Sequence, residues 1–277
     1  MSRVLLFSHK VEIMPRPRKI IASEDENLQS DILVLRSFLT KRIDSALPKT
    51  AQVYDMIRRA IVVLAMPPGS IVNEKLICDE LAISRTPLRE AILQLQAENL
   101  VTILPNSGTY VSRIDLQNVF DGQLVRDALE MKVVRLAAAR MSPVFERQLD
   151  FNMHQQKRLA AELDYDGFYE LDEAFHSMIC EFGASMHIWR IINGAKAQLD
   201  RVRRLAFPAP NHLDIVYSEH CGIVDGLKLR DPDAAAAAMK IHLDRIFETM
   251  RRLIIERRDY FSADAKDVLE RYTNAAP

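Results

Sequence analysis

The sequence predicts a mainly α fold: an N-terminal winged helix-turn-helix followed by an all-α helical-bundle domain. Three observations predict it. Helix breakers are scarce, with 8 glycines and 12 prolines among 277 residues. Apolar residues recur at helical rather than alternating spacing over most of the chain. One stretch, 100–112, reads instead as two short strands around a turn, and it follows directly on three short helical segments.

Composition bounds the class of function. Hydrophobic residues make up 48% and charged residues 27%, an ordinary globular balance, and the length suggests about two domains. The net charge of -1 excludes a uniform polycation, so any nucleic-acid site is a local patch. Cys78, Cys180 and Cys221 are odd in number and form no CxxC pair, which argues against a disulfide framework and fits a reducing compartment. The apolar run from Ala60 to Met66 is too short to cross a bilayer, and Val4 to Phe7 is too short for a signal-peptide core. The expectation is a soluble, cytoplasmic protein with no membrane partner.

Residues 1–48 read as an extension, with a basic, helix-breaking run from Met14 to Lys19 and an amphipathic stretch from Ile32 to Ile43. It is a poorly ordered arm, an upstream segment before a true start at Met14, or a basic arm that touches DNA. Residues 49–113 form the head. Val53, Ile57, Ala60, Ile61 and Leu64 share one helix face, and Pro67-Pro68-Gly69 stops that helix. Asn73 suits the N-cap of a second helix ending near Glu80. A third helix runs from about Arg85 to Glu98, burying Leu88, Ala91, Ile92 and Leu95, and Asn99 can end it in the left-handed conformation. Leu100 to Leu104 and Thr109 to Ser112 are then strands joined by the turn Pro105-Asn106-Ser107-Gly108.

Residues 114–262 read as a bundle, with helices over about 115–141, 143–163, 166–182, 185–206, 211–229 and 232–260. Their breaks fall at Ser142-Pro143, Asp164 to Gly167, Gly183, Phe207 to Pro210 and Asp231-Pro232. Residues 263–277 read as a polar tail expected to fray.

The chemistry of the head lies at the start of its third helix. Arg85 and Arg89 are four apart and share a face. An Arg fork can take guanine O6 and N7, Ser84 and Thr86 can bond phosphate or cap the helix, and the free N–H groups of the first turn favour an anion. The wing tip from Asn106 to Thr109 can reach a neighbouring groove. Ser84-Arg85-Thr86-Pro87-Leu88-Arg89-Glu90-Ala91, flanked by Pro67-Pro68-Gly69, Leu100-Val101 and the wing from Pro105 to Val111, closely resembles the signature of the GntR superfamily of transcription regulators. The resemblance implies DNA contacts by Lys75, Ser84, Arg85, Thr86, Arg89, Asn106 and Gly108, on a palindromic double-stranded operator bound by a homodimer. Ala82 and Asn99 stand where that family often has Gly.

In the helical half, Asp172 and His176 are four apart on one helix face, while His220 and His242 lie on two later helices. Three imidazoles and a carboxylate suit zinc, nickel, manganese or iron. Spacing alone does not assemble them. Asp172-Glu173-Ala174-Phe175-His176, Glu219-His220, His242 and the Arg126–Glu130 pair resemble the FCD effector domain of the FadR subfamily. That resemblance implies a divalent metal ion, zinc or nickel foremost, held by Asp172, His176, His220 and His242, and a small organic acid effector gripped by Arg126. Arg126 can equally form an internal pair with Glu130. His154, His187 and His212 have no partner pattern, Cys180 and Cys221 read as small buried apolar residues rather than thiolate ligands, Trp189 reads as core rather than a ligand platform, and Arg201, Arg203 and Arg204 read as a solvated face, with lining of the anion pocket as the alternative. The expected function is that of a ligand-responsive regulator, a repressor rather than an activator, and not an enzyme. The alternative is a metal-dependent hydrolase or lyase acting on a small carboxylate, for which no general base stands out. An acyl-CoA sensor without metal is disfavoured by the intact Asp and three His.

Overall fold

The computed structural model describes Leu39 and residues 43–275, with side chains to Tyr272; the basic run of the extension and most of its amphipathic stretch lie outside the described residues. The head contains α1 (Lys49–Val62), α2 (Glu74–Leu81), α3 (Arg85–Ala97), β1 (Val101–Leu104) and β2 (Gly108–Val111), in the expected order. Val53, Ile57, Ala60 and Ile61 form the buried face of α1, which packs on Leu88, Leu95 and Leu100. After α1 the chain turns through Gly69, at φ +84°, and the Gly69 N–H donates to the Val111 carbonyl at 2.8 Å, which ties this loop to the wing. Asn73 caps α2 by accepting from the Leu76 N–H at 3.0 Å, a contact worth about 1 kcal/mol. Ala82 ends α2 with φ 50° and Asn99 follows α3 with φ 57°. Both are left-handed, which explains why Gly suits these positions and why Asn tolerates one of them. The wing strands are antiparallel, pairing Val101 with Val111 and Leu104 with Gly108.

The bundle contains α4 (Leu116–Arg140), α5 (Pro143–Glu162), α6 (Tyr165–Gly183), α7 (Met186–Ala195), α8 (Ala197–Ala206), α9 (His212–Lys228) and α10 (Pro232–Glu256). The side chains of Asp115, Ser142, Asp164 and Asp231 cap α4, α5, α6 and α10. Pro143 and Pro232 occupy first-turn positions, where a missing N–H leaves no bond unmade. Val133, Phe175, Ile223, Met239 and Leu243 form the bundle core. A second cluster joins the linker residue Ile114 to Phe120, Leu199, Met250 and Phe261.

Two elements differ from expectation. The helix expected over 185–206 is broken at Lys196, where φ is -100° and ψ 6°. The bend lies against Gly122 of α4, where an added Cβ would sit 2.7 Å from the Ala195 carbonyl oxygen. From α1, Arg58 donates to the Asn193 carbonyl at 2.9 Å. A close approach and an interdomain bond thus override a continuous helical pattern. The tail from 263, expected to fray, instead carries α11 (Ala265–Ala275) after a 3-10 turn, Arg258–Tyr260. Ala265, Val268 and Leu269 are buried, and the Tyr272 ring stacks on Phe120 at 3.9 Å. Ile114 donates to the Tyr260 carbonyl at 2.8 Å and accepts from Ser262 at 2.9 Å, so the C-terminal segment fastens the linker. Among the described residues no helix is long and apolar enough to cross a membrane.

Gly122 decides a sign. In an exposed helix, Gly→Ala gains about 1 kcal/mol. Here the new methyl meets backbone, so Gly122→Ala is expected to destabilise by about 1–3 kcal/mol, measured as a lower urea midpoint at unchanged slope.

Candidate metal centre and nucleic-acid surface

Arg85 opens α3, preceded by Ser84 in extended conformation (φ -75°, ψ 168°) whose hydroxyl makes no capping bond. The first-turn N–H groups therefore remain free for an outside acceptor. Lys75, Ser84, Arg85, Thr86 and Arg89 are exposed, as are Asn106 and Gly108 at the turn of the wing. Asn106 has φ 61° and Gly108 φ 122°; the second of these is a conformation only glycine takes without strain. None of Lys75, Arg85 and Arg89 forms an ion pair among the described residues. These exposed cations beside free amides form a local basic patch on a chain of net charge -1, a kind of surface suited to a phosphate backbone.

In the bundle, Asp172 and His176 on α6, His220 on α9 and His242 on α10 converge. One ligand atom from each lies within 4.8 Å of all the others, and all four residues are buried. The partners of each ring settle which nitrogen carries the proton. His176 Nδ1 lies 2.6 Å from a carboxylate oxygen of Glu130, His242 Nδ1 3.1 Å from Glu219, and His220 Nδ1 2.8 Å from Gln156 Oε1. Gln156 is itself oriented, since its amide donates to Asn152 at 2.7 Å and Asn152 donates to the Leu171 carbonyl at 3.0 Å. Each Nδ1 thus faces an oxygen, although the His176 Nδ1 contact is not aligned as a hydrogen bond; with the proton on Nδ1, each Nε2 turns a lone pair toward the others.

Those lone pairs have few internal partners. His176 Nε2 and His242 Nε2 are 3.2 Å apart, and a proton on either would leave an Nδ1 lone pair facing a carboxylate. His220 Nε2 and Asp172 Oδ1, 3.6 Å apart, are buried without a hydrogen bond. Arg126 Nη2, 3.2 Å from His176 Nε2, is a donor aimed at the group. Burial pushes the His220 and His242 imidazoles well below their ordinary pKa, and the neighbouring imidazoles push the same way. Burial would raise the Asp172 carboxyl, yet Arg203 and the imidazoles hold it well below the usual range. Neutral imidazoles and an ionised carboxylate are the protonation states that bind a divalent ion, and the buried, orphaned His220 Nε2 and Asp172 Oδ1 fit one. The donor set is therefore compatible with a metal.

Arg126 makes the internal pair, donating to Glu130 at 2.6 Å, and also lines the cavity beside the cluster. That cavity is about 40 Å³, with Arg126, Arg203 and Arg245 on its polar side and Val216, Leu243 and Ile246 on its apolar side. The solvated face expected for Arg201, Arg203 and Arg204 is corrected: Arg201 and Arg203 are buried and Arg204 half-buried, because α8 is enclosed between head and bundle. Arg203 donates to Asp172 and, at 2.8 Å, to Glu173. His212, which had no partner pattern, also lines the cavity, while His154 and His187 are exposed. Asn152 and Gln156, four apart on α5, went unremarked in the sequence; their one signal was a polar pair on the helix face that also carries Leu149, Met153 and Leu159. Cys180 is buried, its thiol pushed up to about 12 by burial, and neither it nor Cys221 joins the cluster.

Comparison with known proteins places both halves. Residues 49–111 match the model of "Bacterial regulatory proteins, gntR family", and residues 123–245 match that of the FCD domain. The HTH-type transcriptional repressor RspR of Escherichia coli K12 is 34% identical over 217 residues, covering 78% of this chain and 95% of that protein. The Nta operon transcriptional regulator of Aminobacter aminovorans is 26% identical over 188 residues, covering 68% and 87%. Among solved structures, E. coli McbR/YncC superimposes with a TM-score of 0.66 at 18% identity, covering 74% of this chain and 99% of that one. A putative GntR regulator from Rhodococcus sp. RHA1 gives 0.64 at 21% identity, covering 74% and 98%.

Burial, then Arg252, pushes the His212 imidazole down to about 4, whereas the unfolded chain protonates near 6.5. The unfolded state therefore binds the extra proton first, so this residue costs stability as pH falls below about 6.5, and the cost levels off near pH 4. An NMR titration of His212 is expected to inflect near pH 4; an inflection near 6.5 contradicts its enclosure.

Proposed function

This chain belongs to the GntR family of bacterial regulatory proteins, in the group that carries an FCD domain, and we propose that it is a ligand-responsive repressor whose helical domain binds a divalent metal ion and a small organic carboxylate that modulates operator binding. That it is a DNA-binding transcriptional regulator follows from the family; the rest is read from the residues. The observation that carries the metal is the convergence of four buried donor residues, with His220 Nε2 and Asp172 Oδ1 left without a hydrogen bond. On this reading Asp172, His176, His220 and His242 hold zinc or nickel. Glu130, Gln156 and Glu219 fix the rings from behind. A bound divalent ion supplies positive charge beside Arg126, on which a carboxylate can settle. Arg126 then gives up part of its contact with His176 and presents its fork to the acid. The 40 Å³ cavity favours a small acid and has no room for a long acyl chain.

At the other end, α3 enters the major groove with Arg85 and Arg89 on base edges, while Ser84, Thr86 and the first-turn amides meet phosphate and Lys75, Asn106 and Gly108 extend the contact. A homodimer on a palindromic operator matches protein symmetry to DNA symmetry. Repression is supported by the likeness to the E. coli transcriptional repressor RspR. The acid can alter operator binding only by preferring one arrangement of the two heads.

Arg85→Ala and Arg89→Ala are each expected to weaken operator binding by about 1–3 kcal/mol in a gel shift, while urea stability moves by less than about 0.5 kcal/mol; unchanged affinity overturns the assignment. Elemental analysis of protein stripped with chelator and reloaded is expected to find about one metal ion per chain. Asp172→Ala with His220→Ala should abolish this uptake, and Gln156→Leu should weaken it about 10- to 100-fold. Equal uptake by the double variant overturns the site.

A further inference from the structure

Helix α8 carries two sets of attachments. On the side toward the cluster, Arg203 donates to Asp172, to Glu173 at 2.8 Å and to Asp200 at 3.1 Å. Lys196, fully buried at the bend before α8, lies 2.6 Å from carboxylate oxygens of both Glu173 and Asp200. On the side toward the head, Gln198 donates to the Asn99 carbonyl at 2.7 Å, just beyond α3. Arg201 donates to the Ser112 carbonyl at 2.7 Å, where the wing returns to the linker, and to Gln198 at 2.9 Å. The side chains of one ten-residue helix thus reach the carboxylate of the proposed metal site and the backbone at both ends of the wing.

Arg201 is the unusual member. It is fully buried, has no carboxylate partner among the described residues, and its Nε lacks a hydrogen bond. Burial pushes its pKa down to about 9. An uncompensated buried charge opposes the packing that encloses it, so this joint is held near balance rather than locked.

We infer that α8 is the relay between the metal-and-anion site and the DNA-binding head, with Arg203 registering the charge on Asp172 and Gln198 with Arg201 passing the position of α8 to Asn99 and Ser112. The inference rests on the metal reading of Asp172. A cation sharing that carboxylate weakens its attraction for Arg203. Glu173 and Asp200 then keep Arg203 while Asp172 releases it, and the contacts that set α8 against Asn99 and Ser112 loosen. A second bridge between the halves, Arg59 of α1 to Glu170 of α6 at 2.7 Å, lies outside α8 and both ends of the wing and serves as the control.

The test is hydrogen exchange on the full chain, metal-stripped and with zinc alone. Zinc is expected to speed exchange in segments 98–101 and 111–114 by about fivefold or more, the lower end of ordinary coupling between sites. Gln198→Ala and Arg201→Lys should still take up zinc but respond by less than about twofold, while Arg59→Ala responds as wild type. If Arg201→Lys fails to fold, Gln198→Ala decides. Zinc uptake by the wild type with unchanged exchange in both segments overturns the relay alone, as does a full response in Gln198→Ala. Failure of the wild type to bind zinc overturns the metal reading and the relay with it.

Discussion

Three imidazoles and one carboxylate converge in a single buried volume, and the surrounding helices supply the groups that orient them. The rings come from α6, α9 and α10, and the acceptors that fix them come from α4, α5 and α9. Five helices therefore meet through hydrogen bonds to one small volume, with Phe175 stacked on the His220 ring at 4.3 Å as an apolar wall. Removed from water, such a set is costly to the empty fold and rewarding to a cation, so folding and binding are linked there. Gln156 and Asn152 matter for the same reason: a misoriented ring turns its proton inward and fills the space the lone pairs define.

Charge propagates outward from the cluster. Asp172 touches Arg203, Arg203 touches Glu173 and Asp200, and these two carboxylates enclose Lys196 at the bend between α7 and α8. The bend depends on Gly122, which lets the Ala195 carbonyl approach α4. Beyond the bend, α8 lies against the head. The linker at Ile114 is clamped separately by Tyr260 and Ser262. The head is thus fastened to α8 at Asn99 and Ser112, to the C-terminal segment at Ile114, and to α7 and α6 through Arg58 and Arg59.

The head was legible because its information is local. Caps, the Pro-Pro-Gly stop, the left-handed positions at Ala82 and Asn99 and the cluster around Arg85 all act within a few residues of themselves. The pairing of Asp172 with His176 was legible as a helical spacing, whereas bringing in His220 and His242 needed the family resemblance, since no spacing rule joins residues 44 and 66 positions away from His176. The burial of Arg201 and Arg203 was not legible, because a triplet of arginines on a helix looks solvated until the surfaces on both sides of it are known. Glu173 beside Asp172, and Asp200 three before Arg203, were the clues to their partners. The C-terminal helix was missed for a simpler reason: Ala265, Val268, Leu269 and Tyr272 hold helical spacing, but a polar average masked the stripe.

The most direct measurement is anomalous scattering from crystals grown with zinc and collected on either side of the zinc absorption edge. A single strong peak bonded to Nε2 of His176, His220 and His242 and to an oxygen of Asp172 is the predicted result. Full-length protein in which those four side chains keep their contacts with no peak between them, even at saturating zinc, would contradict it.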